Sequence, residues 1–137
     1  MQNNKEVQKK YLELEIILQQ INQIHNEIVN LQNQILELEL LKQNLNKFKG
    51  LKKGTNSYVP LGLNIFAKAE LKENNEFLVA VGNNVIVKKN YEETIEFVNN
   101  YVEEIERILN DLQSQLNLMD SKGQELQQEL QNLINKQ

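Results

Sequence analysis

The sequence predicts an α+β fold in which a long antiparallel two-helix coiled coil is joined by a small four-stranded, two-hairpin β segment. Three observations support this fold class. Residues 1–50 and 90–137 each carry a seven-residue apolar repeat with almost no Gly or Pro, as coiled-coil helices do. Residues 55–89 instead contain short runs of β-branched and aromatic residues separated by turn formers. The two helices are similar in length, so we expect residues 1–137 to form one domain with the helices folded back on each other.

The first helix is predicted over residues 1–50. From Leu14 onward its apolar residues recur at alternating gaps of three and four, which defines a coiled-coil seam. Lys10 and Lys42 interrupt this frame. The helix should end near Gly50, where nearby lysines complement the negative helix terminus. The predicted seam contains Val7, Leu14, Ile17, Ile21, Ile24, Ile28, Leu31, Ile35, Leu38 and Leu45.

Four short strands are predicted in the β segment. Residues 60–62 (Pro-Leu-Gly) are interpreted as the break between the first two strands, and residues 82–84 (Gly-Asn-Asn) as a tight turn between the last two. The strands are Ser57–Pro60, Asn64–Leu71, Phe77–Val81 and Val85–Lys88. Sheets this small leave open edges, so we expect the segment to oligomerise. The residues expected to carry oligomerisation are Tyr58, Val59, Ile65, Phe66, Phe77, Val79, Val81, Val85 and Val87.

The second helix is predicted over residues 90–137. Asn90 is a suitable N-cap, and Glu92 and Glu93 are favourable in the first turn. Gly123 is the one seam position without a side chain. The remaining seam positions are Ile95, Val98, Val102, Ile105, Leu109, Leu112, Leu116, Met119, Leu126, Leu130 and Leu133.

An antiparallel pairing of the helices follows if Lys49 and Tyr91 face each other. The numbers of paired seam residues then sum to roughly 140, and nearly every apolar residue meets an apolar partner. Toward the two termini the partners become poorer. The predicted pairs are Ile35 with Ile105, Ile28 with Leu112, Ile24 with Leu116, Leu14 with Leu126, Ile17 with Gly123, and Lys10 with Leu130.

The sequence contains no constellation that predicts catalysis. There is no Cys, and His25 is the only histidine and lies beside the seam. Acidic residues two apart, such as Glu13 with Glu15, point away from each other on a helix. We therefore expect no enzyme activity, no metal site and no cofactor.

The charge and hydropathy of the chain bear on its partners. A formal net charge of -4 argues against nucleic acid as a partner. The lysines at 47, 49, 52 and 53 could contact an anion, but a helix-end role is favoured because no aromatic residues lie among them. No apolar stretch approaches the ~18 residues of a membrane span, and the N-terminus lacks the apolar core of a signal peptide. The sequence thus predicts a cytoplasmic protein that binds neither nucleic acid nor membrane.

The free ends of the helices, the tips, carry apolar residues among Gln and Asn. They are expected to be partly exposed there, and two interpretations remain open. The tips could be an ordinary frayed end of a coiled coil, or an adaptable apolar surface for other proteins. The residues concerned are Val7, Tyr11, Leu12, Leu126, Leu130, Leu133 and Ile134.

The central segment resembles the prefoldin family, specifically an archaeal-type alpha-class subunit. The resemblance is carried by YVPLG at 58–62, IFAKAEL at 65–71 and FLVAVGNNVIVK at 77–88, placed between helices of this length. Four central strands resemble the alpha class, whereas the beta class carries one hairpin. The chain also resembles gamma-prefoldin, a divergent alpha-like branch that assembles with itself into filaments.

The resemblance implies an ATP-independent chaperone, or holdase. Its strands would assemble into a β-barrel platform, and its tips would bind unfolded proteins and deliver them to a group II chaperonin. The partners would be prefoldin beta-type subunits, in a hexamer of two alpha and four beta subunits, or further copies of the chain in a filament. The alternative is a structural coiled-coil filament or scaffold protein that self-assembles through its β segment.

Overall fold

Two long helices flank four short strands. The computed structural model describes the backbone of residues 2–136 and the side chains of residues 4–136. The arrangement confirms the predicted fold class of two long helices with two small antiparallel hairpins between them. In chain order the elements are α1 (Gln2–Lys49), β1 (Asn56–Gly62), β2 (Ile65–Glu70), β3 (Phe77–Gly82), β4 (Val85–Lys89) and α2 (Tyr91–Asn135).

Contacts divide the described chain into two compact units. The helical unit contains α1 up to Ile35 and α2 from Glu104 onward. Its core is a seam in two clusters, and the pairing of residues from opposite ends of the chain confirms the antiparallel register. One cluster joins Ile24 and Ile28 to Leu112 and Leu116, and the other joins Leu14 and Ile17 to Leu126 and Leu130.

Gly123 contributes no side chain to the seam beside the cluster that contains Leu14 and Ile17. This glycine is buried, and a Cβ added to it would lie 3.7 Å from Ile17 Cγ2 and 4.0 Å from Leu14 Cδ1. Both distances are ordinary van der Waals contacts. Ile17 therefore faces Gly123 as the register predicts, and the site has room for a methyl group.

The second unit, Leu36–Glu103, holds the β segment and the adjoining helix ends. β1 pairs with β2 as hairpin 1, and β3 pairs with β4 as hairpin 2, each as a two-stranded antiparallel sheet. Both hairpins close through two residues with positive φ: 47° at Leu63 and 61° at Asn64, then 52° at Asn83 and 61° at Asn84. Positive φ at both central residues defines a type I′ turn, which matches the twist of the paired strands.

The break predicted at Pro60-Leu61-Gly62 is wrong. These residues lie inside β1, and the turn falls one step later at Leu63 and Asn64. The reason is a shared turn pattern, Gly-x-Asn, at 62–64 and again at 82–84. In each hairpin the glycine has positive φ next to a register shift, and the Asn occupies the left-handed region that it tolerates well.

The connection between the hairpins fastens both helix ends. The Asn74 side-chain amide donates hydrogen bonds to the carbonyl oxygens of Lys49 at 3.3 Å and Leu51 at 2.8 Å. Asn75 Oδ1 accepts one from the Tyr91 amide at 2.9 Å. Because the last carbonyls of a helix and the first amides of another lack partners within their helices, these contacts satisfy groups that would otherwise face water alone.

The start of α2 is capped as predicted. The Glu93 amide donates to Asn90 Oδ1 at 2.8 Å, and the Asn90 amide donates to Glu93 Oε1 at 3.1 Å, which completes a capping box. Thr94 is buried, and its hydroxyl donates to the Asn90 carbonyl at 2.7 Å. The sequence repeat placed Ile95 in the seam at this turn, but Thr94 is the more deeply buried of the two.

Candidate interaction surfaces

The two hairpins present apolar surface to solvent. In hairpin 1, Pro60 pairs with Phe66 and Tyr58 pairs with Lys68, so Tyr58, Pro60 and Phe66 share one face, and all three are exposed. Each hairpin is a sheet of only two strands, so every strand has a second edge without a strand partner in the described chain. Open edges beside exposed apolar side chains favour association with another polypeptide.

The residues predicted to carry oligomerisation divide by exposure. Phe77, Val79 and Val87 are half-buried, and the Phe77 ring lies 5.6 Å from the Phe48 ring of α1, centroid to centroid. These three residues therefore lie on the less exposed face of hairpin 2. The other six are exposed: Tyr58, Val59, Ile65, Phe66, Val81 and Val85.

The oligomerisation residues predicted from the sequence do not include four exposed apolar residues of the hairpins. Leu78 and Ile86 could have been found, because they alternate with Val79 and Val87 and so face the opposite side. Leu61 and Leu63 were missed because residues 60–62 were interpreted as a break. All four are highly exposed, and Leu63 is 96% exposed.

The terminal end of the helical unit is more closed than predicted. Leu126 and Leu130, which we expected to be partly exposed, are only 6% and 5% exposed. They pack in the seam with Leu14 and Ile17, so the expectation of exposure was wrong for both. Val7 and Leu133 are half-buried, and Tyr11, Leu12 and Ile134 are exposed, as expected.

A cross-helix ion pair lies beside the closed seam. Lys10 Nζ donates a hydrogen bond to Glu129 Oε2, while Leu130 packs inside the seam with Leu14 and Ile17. The hydrogen bond to Glu129 raises the pKa of Lys10 above its ordinary value, although partial desolvation opposes the effect. Glu6 and Glu13 add smaller attractive contributions in the same direction.

An apolar strip runs along α1 beside this closed seam. It consists of three exposed residues, Tyr11, Leu12 and Leu18, and is called the α1 strip below. Together with Gln8, Leu14 and Glu15, these residues line an open cleft of about 580 Å³. Ile16 is also exposed, but it borders a separate depression beside Lys122. Ile16 and Leu18 were missed from sequence because they lie outside the heptad frame. Exposed aliphatic and aromatic side chains bordered by Gln and Glu can contact apolar segments of another protein.

The charged residues of the second unit have local structural roles. Lys49 Nζ lies 4.2 Å from the centroid of the Tyr91 ring and 3.2 Å from Glu92 Oε1, and Lys53 Nζ lies 3.7 Å from Glu73 Oε2. A hydrogen bond with its own backbone, followed by the one from Lys49, lowers the pKa of the Glu92 carboxyl. These contacts favour the helix-end interpretation of the lysine cluster.

The described residues contain no group of three or more His, Asp or Glu arranged to hold a metal ion. Within residues 2–136, no helix has a segment long and apolar enough to cross a membrane. The features that stand out are the exposed hairpins and the α1 strip, both of which present apolar side chains to solvent.

The fold defines the class of protein as a helical-hairpin subunit with exposed β hairpins. Comparison with known proteins identifies the family. The prefoldin subunit family model matches residues 3–136, and the chain belongs to the prefoldin family, which is a family of chaperone subunits. The prediction of the family from the central segment is thereby confirmed.

Relatives and solved structures agree with this assignment. Prefoldin subunit alpha of Archaeoglobus fulgidus is 32% identical over 137 residues, covering 95% of each chain. Prefoldin subunit alpha of Thermofilum pendens is 32% identical over 104 residues, covering 73% of this chain and 81% of the relative.

Two solved structures share the fold. The filamentous PFD of Methanocaldococcus jannaschii, solved by cryo-electron microscopy, has a TM-score of 0.75 at 21% identity and covers 82% of this chain and 93% of its own. The prefoldin beta subunit of Thermococcus strain KS-1 has a TM-score of 0.59 at 20% identity. The match covers 93% of this chain and 90% of the beta subunit.

Proposed function

We propose that this chain is an ATP-independent holdase subunit that binds unfolded or non-native proteins near the terminal end of its helical unit. The observation that carries the proposal is the α1 strip, an exposed apolar surface on a member of a chaperone family. Tyr11 and Leu12 are 54% and 60% exposed although they belong to a well-formed helix. Such surface favours binding to apolar segments that folded proteins bury.

In this proposal, the residues that would touch a client are chosen by their exposure. Tyr11, Leu12 and Ile134 offer exposed area, and half-buried Val7 and Leu133 extend it. Leu126 and Leu130 are buried in the seam, so in this proposal they support the surface rather than contact the client. Leu18 is added to the predicted set because it continues the exposed strip.

The proposal is tested by removing the apolar area without disturbing the seam. The variant Tyr11→Ser with Leu12→Ser should require a several-fold higher chain concentration to suppress aggregation of a denatured model protein, measured by light scattering. A matched control, Val29→Ser with Leu36→Ser, changes two residues of α1 that are also exposed. Equal protection by both variants, with unchanged assembly size, would contradict client binding at this end.

We further propose that the hairpins associate with other subunits to form a β-barrel platform. The exposed faces of both hairpins and their open edges support this assembly. The partners would be prefoldin beta-type subunits, in a hexamer with two alpha and four beta subunits, or other copies of this chain. Electron microscopy of the purified chain alone would separate a filament from a small oligomer and from a monomer.

A filament or scaffold role is the second candidate function. It is favoured by the structural similarity to a prefoldin that was solved as a filament. In that case the helical units would be spacers, and the chain would form filaments without protecting unfolded proteins. Delivery to a group II chaperonin and a cytoplasmic location belong to the holdase proposal. Neither nucleic acid nor a membrane has a part in it.

A further inference from the structure

Leu63 lies at the end of hairpin 1 in a conformation that its side chain disfavours. Its φ is 47°, in the left-handed region where the Cβ of most residues crowds the backbone. Its side chain is also 96% exposed, so the leucine gains almost no burial within this chain. The strained backbone lowers the stability of the isolated chain, and the exposed side chain gains no burial that would offset the strain. A local outlier of this kind motivates the hypothesis of a role outside the local structure.

Hairpin 2 shows that the turn itself does not require leucine. Its turn has the same Gly-x-Asn pattern and nearly the same backbone, and its equivalent residue is Asn83 with φ 52°. Asn is among the residues that type I′ turns favour at this position. At the same turn position, hairpin 2 has a residue that tolerates positive φ, whereas hairpin 1 places a large apolar side chain at its apex.

The surroundings of Leu63 are apolar and uncharged. Leu61 and Ile65 flank it and are themselves exposed, and no residue from 58 to 66 carries a charge. Leu63 therefore projects from an uncharged tip that can leave water at little electrostatic cost.

A cleft lies at the end of hairpin 2. It is open, has a volume of about 590 Å³, and is lined by Ala80, Gly82, Asn83, Asn84, Val85 and Ile86. A Cβ added to Gly82 would meet nothing within 4 Å, so space exists beside the backbone there. The cleft is uncharged, as is the tip of hairpin 1. It is called the hairpin-2 cleft below.

We propose that Leu63 of one copy inserts into the hairpin-2 cleft of a second copy of this chain. Leu63 is nearly fully exposed and so does not fill the cleft of its own chain. A contact between two different surfaces of identical chains is heterologous, and it generates a ring or an open filament. The inference rests on the proposed assembly through the hairpins and assigns one anchor and one receiving site within it.

The key test is Leu63→Asn, which copies the turn residue of hairpin 2. Removing strain should leave the melting temperature unchanged or raise it, while removing the anchor should weaken self-association at least about tenfold. Sedimentation across a concentration series measures association, and circular dichroism measures melting. Leu63→Met retains an apolar side chain and should preserve assembly. An unchanged association constant for Leu63→Asn would overturn the proposal.

A mixing experiment tests the receiving site. Ala80→Trp should fill the hairpin-2 cleft and block assembly while leaving its own Leu63 intact. In a mixture of the two variants, Leu63 of the Ala80→Trp chain can still enter the intact cleft of the Leu63→Asn chain. No further contact of this kind can form, so the mixture should accumulate as a dimer. Two variants that each fail alone and remain monomeric when mixed would overturn the cleft as the site of Leu63.

Two further outcomes separate this inference from the proposed function. Phe66→Glu places a charge on the exposed face of hairpin 1, away from the turn. If it dissociates the assembly while Leu63→Asn does not, the anchor is wrong and hairpin assembly stands. If neither variant changes the assembly, both are wrong. A wild-type chain that stays monomeric over the same concentrations would overturn a second copy as the occupant.

Discussion

Ile28 in α1 and Ile86 in β4 are the same residue type in opposite surroundings. Ile28 is buried against Leu112 and Leu116 of α2, whereas Ile86 lies exposed on hairpin 2. The helical unit satisfies its apolar residues within one chain, because each helix supplies the other with a matching stripe. Two strands cannot do the same, since a two-stranded sheet has too little area to cover its own faces. The difference indicates that the seam stabilises the chain, whereas the hairpins leave their apolar side chains exposed.

The largest expected effect comes from breaking the seam. Ile28→Asp would bury a carboxylate in the cluster with Ile24, Leu112 and Leu116, and should lower the free energy of unfolding by about 4 kcal/mol or more. Thermal melting followed by circular dichroism measures the loss. The neighbouring control Val29→Asp changes an exposed position and should melt close to wild type. Identical melts for both variants would show that the helices do not pair in this register.

A charge on hairpin 2 should change the assembly and leave the stability of the isolated chain almost unchanged. Val81 is exposed, so Val81→Asp should change the melting of the isolated chain little. If the hairpins form the assembly, the buried charge should shift the chain to smaller species that keep their helical signal. Sedimentation measures the size, and Val81→Thr is the uncharged control. An unchanged mass would remove β3 from the interface.

Filling the gap in the seam should stabilise the helical unit. Gly123→Ala adds a methyl group at ordinary contact distance from Ile17 and Leu14, and it also improves helix propensity. The expected gain is about 1 kcal/mol in the free energy of unfolding. Gln124→Ala, at the exposed neighbouring position, is the control for changes of propensity alone. A loss of stability in Gly123→Ala would show that the glycine is required for close approach of the helices.

The smallest expected effect concerns Glu92 and is sensitive to pH. Its pKa in the folded chain is lowered from 4.5, so its contribution to stability is present above that value and disappears as the pH falls through the lowered one. Glu92→Gln should therefore melt slightly below wild type at neutral pH, and the difference should close in acid. Lys49→Met removes the ion-pair partner of Glu92, so in that background Glu92→Gln should lower the melting temperature by less. A difference in melting temperature that grows in acid would contradict a lowered pKa of Glu92.

Sequence alone was sufficient for the features that depend on periodicity and capping. All the buried apolar residues of the described chain belong to the predicted seam, and Ile17 faces Gly123 as its position requires. Asn90 is the N-cap of α2 as predicted, and Glu93 in the first turn completes a capping box with it. These features are legible because a heptad repeat or a cap is set by neighbours three or four residues away.

The tertiary structure decided the features that depend on a choice between partners. Leu126 and Leu130 pack against Leu14 and Ile17 and are buried rather than partly exposed, and Lys10 pairs with Glu129 beside them. Asn74 binds the end of α1 across a long stretch of chain, which no local pattern indicates. The turn at Leu63 was hidden because leucine is a poor turn residue by itself. Only the pairing of β1 with β2 carries the strand past Gly62 and places this side chain at the apex, almost fully exposed.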